Sequence, residues 1–125
     1  MGVLFRATLY VKDFEKSLHF YQDIIGLDVF NKNEKSARFN YDCFSLLITS
    51  DTILDSDHYF NNAAKSEVKG NGFELIIVVD RLEEVYQKCI DYNYPIEEEV
   101  ETYPWEMRGF KIADPDGYFL RITSE

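Results

Sequence analysis

Two cysteines, two histidines and one tryptophan among 125 residues leave little material for the chemistries that depend on them. Cys43 and Cys89 form no CxxC pair, so neither a disulfide framework nor a structural zinc site is expected, and reduced thiols in a cytoplasmic protein fit best. Cys89 belongs to an apolar helix face and Cys43 to a turn with no histidine near it in sequence, so neither reads as an activated nucleophile. His19 and His58 stand alone, one within a helical pattern and one in an acidic stretch, where packing or surface roles are the ordinary reading. Basic residues are also scarce: 13 against 23 acidic ones give a formal net charge of −10, which argues against nucleic acid as a partner because that affinity is built from lysine and arginine. The same acidic field favours the approach of cations and aids solubility. No apolar run reaches membrane-spanning length. The stretch Met1-Gly2-Val3-Leu4-Phe5-Arg6 is too short for a signal peptide, and Arg6 replaces the Ser/Thr of a myristoylation motif, so no membrane partner is expected.

What is present is apolar and aromatic: 46% and 16% of residues, enough for a packed core in one domain spanning residues 1–125. Alternation from Val3 to Val11 predicts a strand, with Arg6, Thr8 and Tyr10 on one side and Ala7, Leu9 and Val11 on the other. Asp13 is a candidate N-cap, Phe14, Leu18, Tyr21 and Ile25 recur at helical spacing, and Gly26 offers a stop. Leu27 to Phe30, Ser36 to Tyr41 and Phe44 to Thr49 read as shorter strands. Ser50 to Gly72 reads as a linker with one loose helical turn near Tyr59 to Lys65. Phe73 to Val79 is a further strand, Asp80 a second candidate cap, and Leu82, Val85, Tyr86, Cys89 and Ile90 a second helix face that ends before Pro95. Glu97 to Thr102 leads into a closing hairpin turned by Asp114-Pro115-Asp116-Gly117, where proline presets the turn and glycine accepts positive φ.

Strand, helix, strands, linker, strand, helix, strands is an internal repeat. Val11 aligns with Val79 at an offset of 68 residues, and Leu46-Leu47-Ile48-Thr49-Ser50 with Leu120-Arg121-Ile122-Thr123-Ser124 at an offset of 74. Module one occupies about residues 1–50, the linker about 51–72 and module two about 73–125. The expected fold is α+β: two tandem βαβββ modules forming a curled eight-stranded mixed sheet, helices outside, with a concave side facing a ligand. By parity Leu9, Val11, Ile77, Val79, Leu120 and Ile122 face the helices, whereas Arg6, Thr8, Tyr10, Leu47, Glu74, Ile76, Val78, Phe119, Arg121 and Thr123 face away.

The duplicated module, together with Val11-Lys12-Asp13-Phe14, Ser17, Phe20-Tyr21, Gly26-Leu27 and Asp114-Pro115-Asp116-Gly117, resembles the vicinal oxygen chelate superfamily of glyoxalase I, extradiol dioxygenases, and fosfomycin- and bleomycin-resistance proteins. The resemblance runs from Val3 to Thr123. In metal-using members it places the ligands at positions that fall here on Arg6, Leu47, Glu74 and Arg121. Only Glu74 is a ligand type, and two arginines would repel a divalent cation, so no metal and no cofactor are expected. An Arg6-Glu74-Arg121 cluster is expected instead, read either as a neutralised prop for the sheet or as a site with one positive charge to spare.

Tyr103-Pro104-Trp105 followed by Arg108 and Phe110 resembles a segment of the bleomycin-resistance-like branch, whose metal-free homodimers sequester a cationic drug with aromatic side chains. That resemblance implies a ligand site drawn from Tyr10, Phe39, Tyr41, Tyr103, Trp105, Arg108 and Phe110 beside Arg6, Glu74 and Arg121, and a homodimer. Burial of Trp105 in a core or dimer contact remains the plainer reading of that residue. The expected function is metal-independent binding of a small organic molecule, of antibiotic-sequestering type. The alternatives are a glyoxalase-type lyase or isomerase, or another metal-dependent enzyme of the superfamily, with an interaction module as a third. Glu74 as a general base is the weakest enzymatic version, because neighbouring arginines lower its basicity.

Overall fold

A computed structural model describes residues 2–60, 69–105 and 107–124. The chain divides into two compact units, Met1–Ser66 and Glu67–Glu125.

In the first unit, β1 (Phe5–Val11) leads to Asp13, whose carboxylate accepts the Lys16 N–H at 3.2 Å and caps helix α1 (Phe14–Leu18). The helix continues over His19–Ile24 with a wider π-type turn, marked by the Ile25 N–H bonding the Phe20 carbonyl. Gly26, at φ 90°, ends it as expected. Then come β2 (Asn31–Lys32), β3 (Ser36–Tyr41) and β4 (Phe44–Ser50). The expected strand at Leu27 to Phe30 does not form. The Leu27 N–H is spent on the Tyr21 carbonyl in the helix stop, and the Asp28 N–H on the Tyr41 hydroxyl, so two donors are lost to any ladder. The sheet order is β1-β4-β3-β2, with β1 and β4 parallel and the other pairs antiparallel. Leu9, Val11, Ala37, Phe39, Leu46 and Ile48 form its buried face, closed by Phe14, Leu18, Phe20, Tyr21, Ile24 and Ile25. Each large side chain so buried contributes about 1.5–3 kcal/mol. Asp51–Ile53 is a single 3-10 turn capped by Ser50 Oγ. The helical turn expected near Tyr59 to Lys65 falls mostly on residues 61–68, outside those described.

In the second unit, β5 (Glu74–Val78) is followed by helix α2 (Leu82–Asp91), β6 (Glu98–Thr102), β7 (Arg108–Ala113) and β8 (Phe119–Thr123), in sheet order β5-β8-β7-β6. The cap of α2 is Arg81, not Asp80, and it makes no side-chain cap bond; Glu83 and Glu84 in the first turn complement the helix dipole instead. Leu82, Val85 and Cys89 are buried while Ile90 is exposed, so the apolar face is narrower than its spacing suggests. Glu98–Thr102 is a full strand, with a bulge in its pairing to β7. The hairpin turn is held by Asp114, whose Oδ1 accepts N–H bonds from Asp116 and Tyr118 at 2.9 Å each, with Gly117 at φ 92°. Buried Asp116 is in turn paired with buried Lys69 at 3.5 Å.

The eight strands are thus two four-stranded mixed sheets, neither closed on itself, in an α+β fold. The repeat is reproduced in their registers. Thr8 pairs with Leu47 in the first unit, and shifting by the two sequence offsets gives Ile76 and Arg121, which pair in the second.

Candidate functional site

In the second unit, Arg121 sits in β8 between Ile76 of β5 and Lys111 of β7, and Thr123 between Val78 and Gly109. Strand alternation puts these residues on the face opposite the one that packs on α2. Glu74 lies one diagonal step from Arg121, and Arg121 Nη2 donates to Glu74 Oε1 at 2.6 Å. That bond holds the Arg121 guanidinium above its usual pKa. Beside it, the Tyr103 N–H bonds the Met107 carbonyl and closes a turn in which Tyr103 and Trp105 stack, with centroids 5.0 Å apart and planes at 18°. Arg121 Cζ lies 5.7 Å from the Tyr103 centroid and 5.9 Å from that of Trp105, within cation–π range of both. Gly109 makes room for this: a Cβ there would lie 2.9 Å from Tyr103 Cε2 and 2.7 Å from the Ile122 carbonyl oxygen.

Among the described residues, four buried side-chain polar atoms lack a hydrogen-bond partner, and three belong to this patch: Tyr103 OH, Arg121 Nε and Thr123 Oγ1. Such atoms cost about 1–3 kcal/mol each when nothing satisfies them. Burial also raises the pKa of the Tyr103 phenol, an effect Lys111 partly opposes, so Tyr103 stays a neutral donor. Trp105, by contrast, is 54% exposed. The patch therefore combines an open aromatic face, unused donors and a cation already neutralised by one carboxylate.

Of the expected Arg6-Glu74-Arg121 cluster, Glu74 and Arg121 bond to each other within the second unit, and Arg6 belongs to the first unit. Arg6 lines a cavity of about 450 Å³ with Leu4, Arg38, Asn40, Tyr41, Asp42 and Ser45. Arg38 Nη1 donates to Ser45 Oγ at 3.0 Å, and Ser45 donates on to Asn40 Oδ1 at 2.6 Å.

The positions that the resemblance assigns to metal ligands do not fit a divalent cation. Arg6 and Arg121 are cations, Leu47 has no donor atom, and Glu74 already binds a guanidinium. Among the described residues, no group of three or more His, Cys, Asp or Glu side chains could share a metal ion.

Each of the remaining expected site residues has its own local environment. Tyr41 is exposed and lines the first-unit cavity. Tyr10 packs with His58 and Phe60, at centroid distances of 6.0 and 5.7 Å, and the Phe60 N–H bonds His58 Nδ1. Phe39 and Phe110 are fully buried, Phe39 against Tyr21 and Phe110 against Tyr86, so both belong to the cores under the helices. Arg108 pairs with Glu83 of α2, and this bond lowers the Glu83 pKa. Cys89 is buried, which pushes its thiol up to about 11, while Cys43 is exposed. Sequence reasoning missed Arg38, Asn40 and Ser45. The alternation Ser36-Ala37-Arg38-Phe39-Asn40 would have placed Arg38 and Asn40 opposite buried Phe39.

A sequence model described as the Glyoxalase/Bleomycin resistance protein/Dioxygenase superfamily matches residues 3–122. No curated protein matches the sequence significantly. Among solved structures, the chain is similar to a glyoxalase-related enzyme from Fulvimarina pelagi, with TM-score 0.76, 18% identity, and coverage of 100% of this chain and 89% of that one. It is also similar to a protein of unknown function from Agrobacterium tumefaciens, with TM-score 0.79, 21% identity and coverage of 100% and 94%. A lactoylglutathione lyase from Agrobacterium tumefaciens superposes with TM-score 0.69, 17% identity and coverage of 99% and 94%. At these identities the likeness concerns the fold.

Proposed function

Because this chain belongs to the Glyoxalase/Bleomycin resistance protein/Dioxygenase superfamily, we propose that it uses that scaffold to bind a small organic molecule without a catalytic metal, as a sequestering protein. The observation that carries the reading is the second-unit patch. Stacked Tyr103 and Trp105 adjoin a guanidinium neutralised by Glu74, with three buried polar atoms left unsatisfied around them. A flat ring suits this patch, because it can stack on exposed Trp105 beside the Arg121 guanidinium. One scaffold supports many chemistries, so the reading rests on the patch and not on the fold.

Trp105 is the chain's sole tryptophan, so intrinsic fluorescence reports the patch directly. Titrating the full chain with flat aromatic compounds, bleomycin-family drugs among them, is expected to quench that emission saturably and to raise Tm in step with occupancy. The purified protein is expected to carry no stoichiometric Zn, Ni, Mn or Fe. About one metal per chain by elemental analysis would overturn the proposal in favour of a glyoxalase-type lyase, and a tryptophan signal unmoved by every flat ligand would remove the patch as the site.

A further inference from the structure

We propose that the first-unit cavity is an oxyanion site, taking the carboxylate or phosphate monoester group of a small organic molecule on Arg6 and Arg38. This inference is independent of the second-unit patch. Three observations carry it.

The first is charge. In a chain of net charge −10, a cavity lined by two arginines and one acid is locally inverted in sign. Among the described residues neither Arg6 nor Arg38 has a carboxylate partner, unlike Arg81, Arg108 and Arg121, each of which is paired with a glutamate. Guanidinium groups left without a carboxylate suit an incoming oxyanion, which they bind through paired N–H donors.

The second is preorganisation. β3 and β4 set Asn40 opposite Ser45 and Arg38 opposite Leu47, while β1 sets Arg6 beside Ser45, so the four polar residues occupy one face of three adjacent strands. The chain of bonds from Arg38 to Ser45 to Asn40 fixes one guanidinium edge and uses the Asn40 oxygen as an acceptor. The Asn40 amide hydrogens and the rest of the Arg38 fork remain as donors, an array that suits an anion. A site held by its own hydrogen bonds loses less entropy on binding.

The third is size. A cavity of about 450 Å³ exceeds what one oxyanion fills, and its remaining walls are Leu4, Tyr41 and Asp42. The Tyr41 ring is held in place because its hydroxyl accepts the Asp28 N–H at 3.0 Å. The ligand that fits is an anionic group on an apolar or aromatic body, with the anion on the arginines and the body against Tyr41 and Leu4. Asp42, the cavity's one acid, opposes this ligand and supplies a prediction of opposite sign.

The test is a titration of the full chain, followed by backbone amide NMR shifts, with benzoate, phenyl phosphate and the uncharged analogue benzamide. Both anions are expected to move the amides of Arg6, Arg38, Asn40, Tyr41 and Ser45 saturably, and benzamide is not. The tighter of the two anions assigns the group as carboxylate or phosphate, and either ranking supports the site. Arg6→Gln, which breaks no bond seen in the structure, is expected to weaken binding about tenfold or more. Asp42→Asn is expected to tighten it severalfold, and Lys88→Gln on α2 to leave it unchanged. Arg38→Gln adds a second loss of affinity, while Arg6→Gln stands as the decisive variant if Arg38→Gln disturbs Ser45. Equal response to benzamide, an affinity within twofold in Arg6→Gln, or no saturable shift at these amides would overturn the proposal. Trp105 emission reports the other unit, so the outcome here is separable from that of the proposed function.

Discussion

At Arg121 two environments compete for one guanidinium: the Glu74 carboxylate at 2.6 Å and the paired faces of Tyr103 and Trp105. Removing the cation frees both. Arg121→Leu is expected to leave the Glu74 charge uncompensated beside an open aromatic pair, so a flat aromatic cation should bind severalfold more tightly and a flat aromatic carboxylate more weakly. Quenching of Trp105 by matched cationic and anionic ligands measures the ranking, and the reverse order would reject this view of the patch. The parity of β8 made Arg121 and its relation to Glu74 legible in the sequence, since both stand at matching places in duplicated strands. Phe39 and Phe110 are aromatic, which suits a ligand site, but alternation puts both on the helix-facing side with Ile48 and Ile122. Alternation is the stronger constraint, because a one-residue shift would turn a whole buried face to solvent.

Among the elements, β7 shows how a residue without a side chain shapes a site. Gly109 is tightly enclosed between the Ile122 carbonyl and the Tyr103 ring, so Gly109→Ala forces backbone and ring apart. A loss of about 1–3 kcal/mol in urea unfolding is expected, together with a shifted Trp105 emission as the stack opens. Unchanged emission in a folded variant would show that Tyr103 does not depend on this gap. The closing hairpin was fully legible, because Asp114, Pro115 and Gly117 act locally on the backbone. The failed strand at Leu27 to Phe30 was not. Its amide hydrogens are claimed by Tyr21 and by the distant Tyr41 hydroxyl, and neither claim shows in a local pattern. The cap of α2 stands one residue after Asp80: Asp80 is a good capping type, but the helix begins at Leu82, after Arg81.

For the molecule as a whole, buried neutral acids are expected to make stability fall at alkaline pH. Burial moves the Cys89 thiol from its ordinary 9.0 to about 11. It also raises the phenols of Tyr94 and Tyr103. An unfolded chain releases these protons first, so the stabilisation they lend is complete below pH 9 and is lost as pH climbs from there to about 11 and beyond. The urea midpoint is therefore expected to fall across that window, and Cys89→Ala to flatten the part of the slope between pH 9 and 11. A slope identical in Cys89→Ala would assign the loss to the tyrosines alone. The duplicated modules were legible because strand registers repeat with the sequence offsets. The division into two four-stranded sheets was not, since alternation describes each strand and says nothing of where a ladder stops.

The two thiols that make no disulfide are also a pair of clocks, one in each unit. Cys43, exposed in the turn between β3 and β4, is open to a thiol reagent at once. Cys89, buried beneath the second sheet, must wait for that unit to open, and at neutral pH its labelling rate follows the population of the opened form. One labelling time course on the unmodified chain thus counts accessible protein with its first thiol and times the breathing of the second unit with the other.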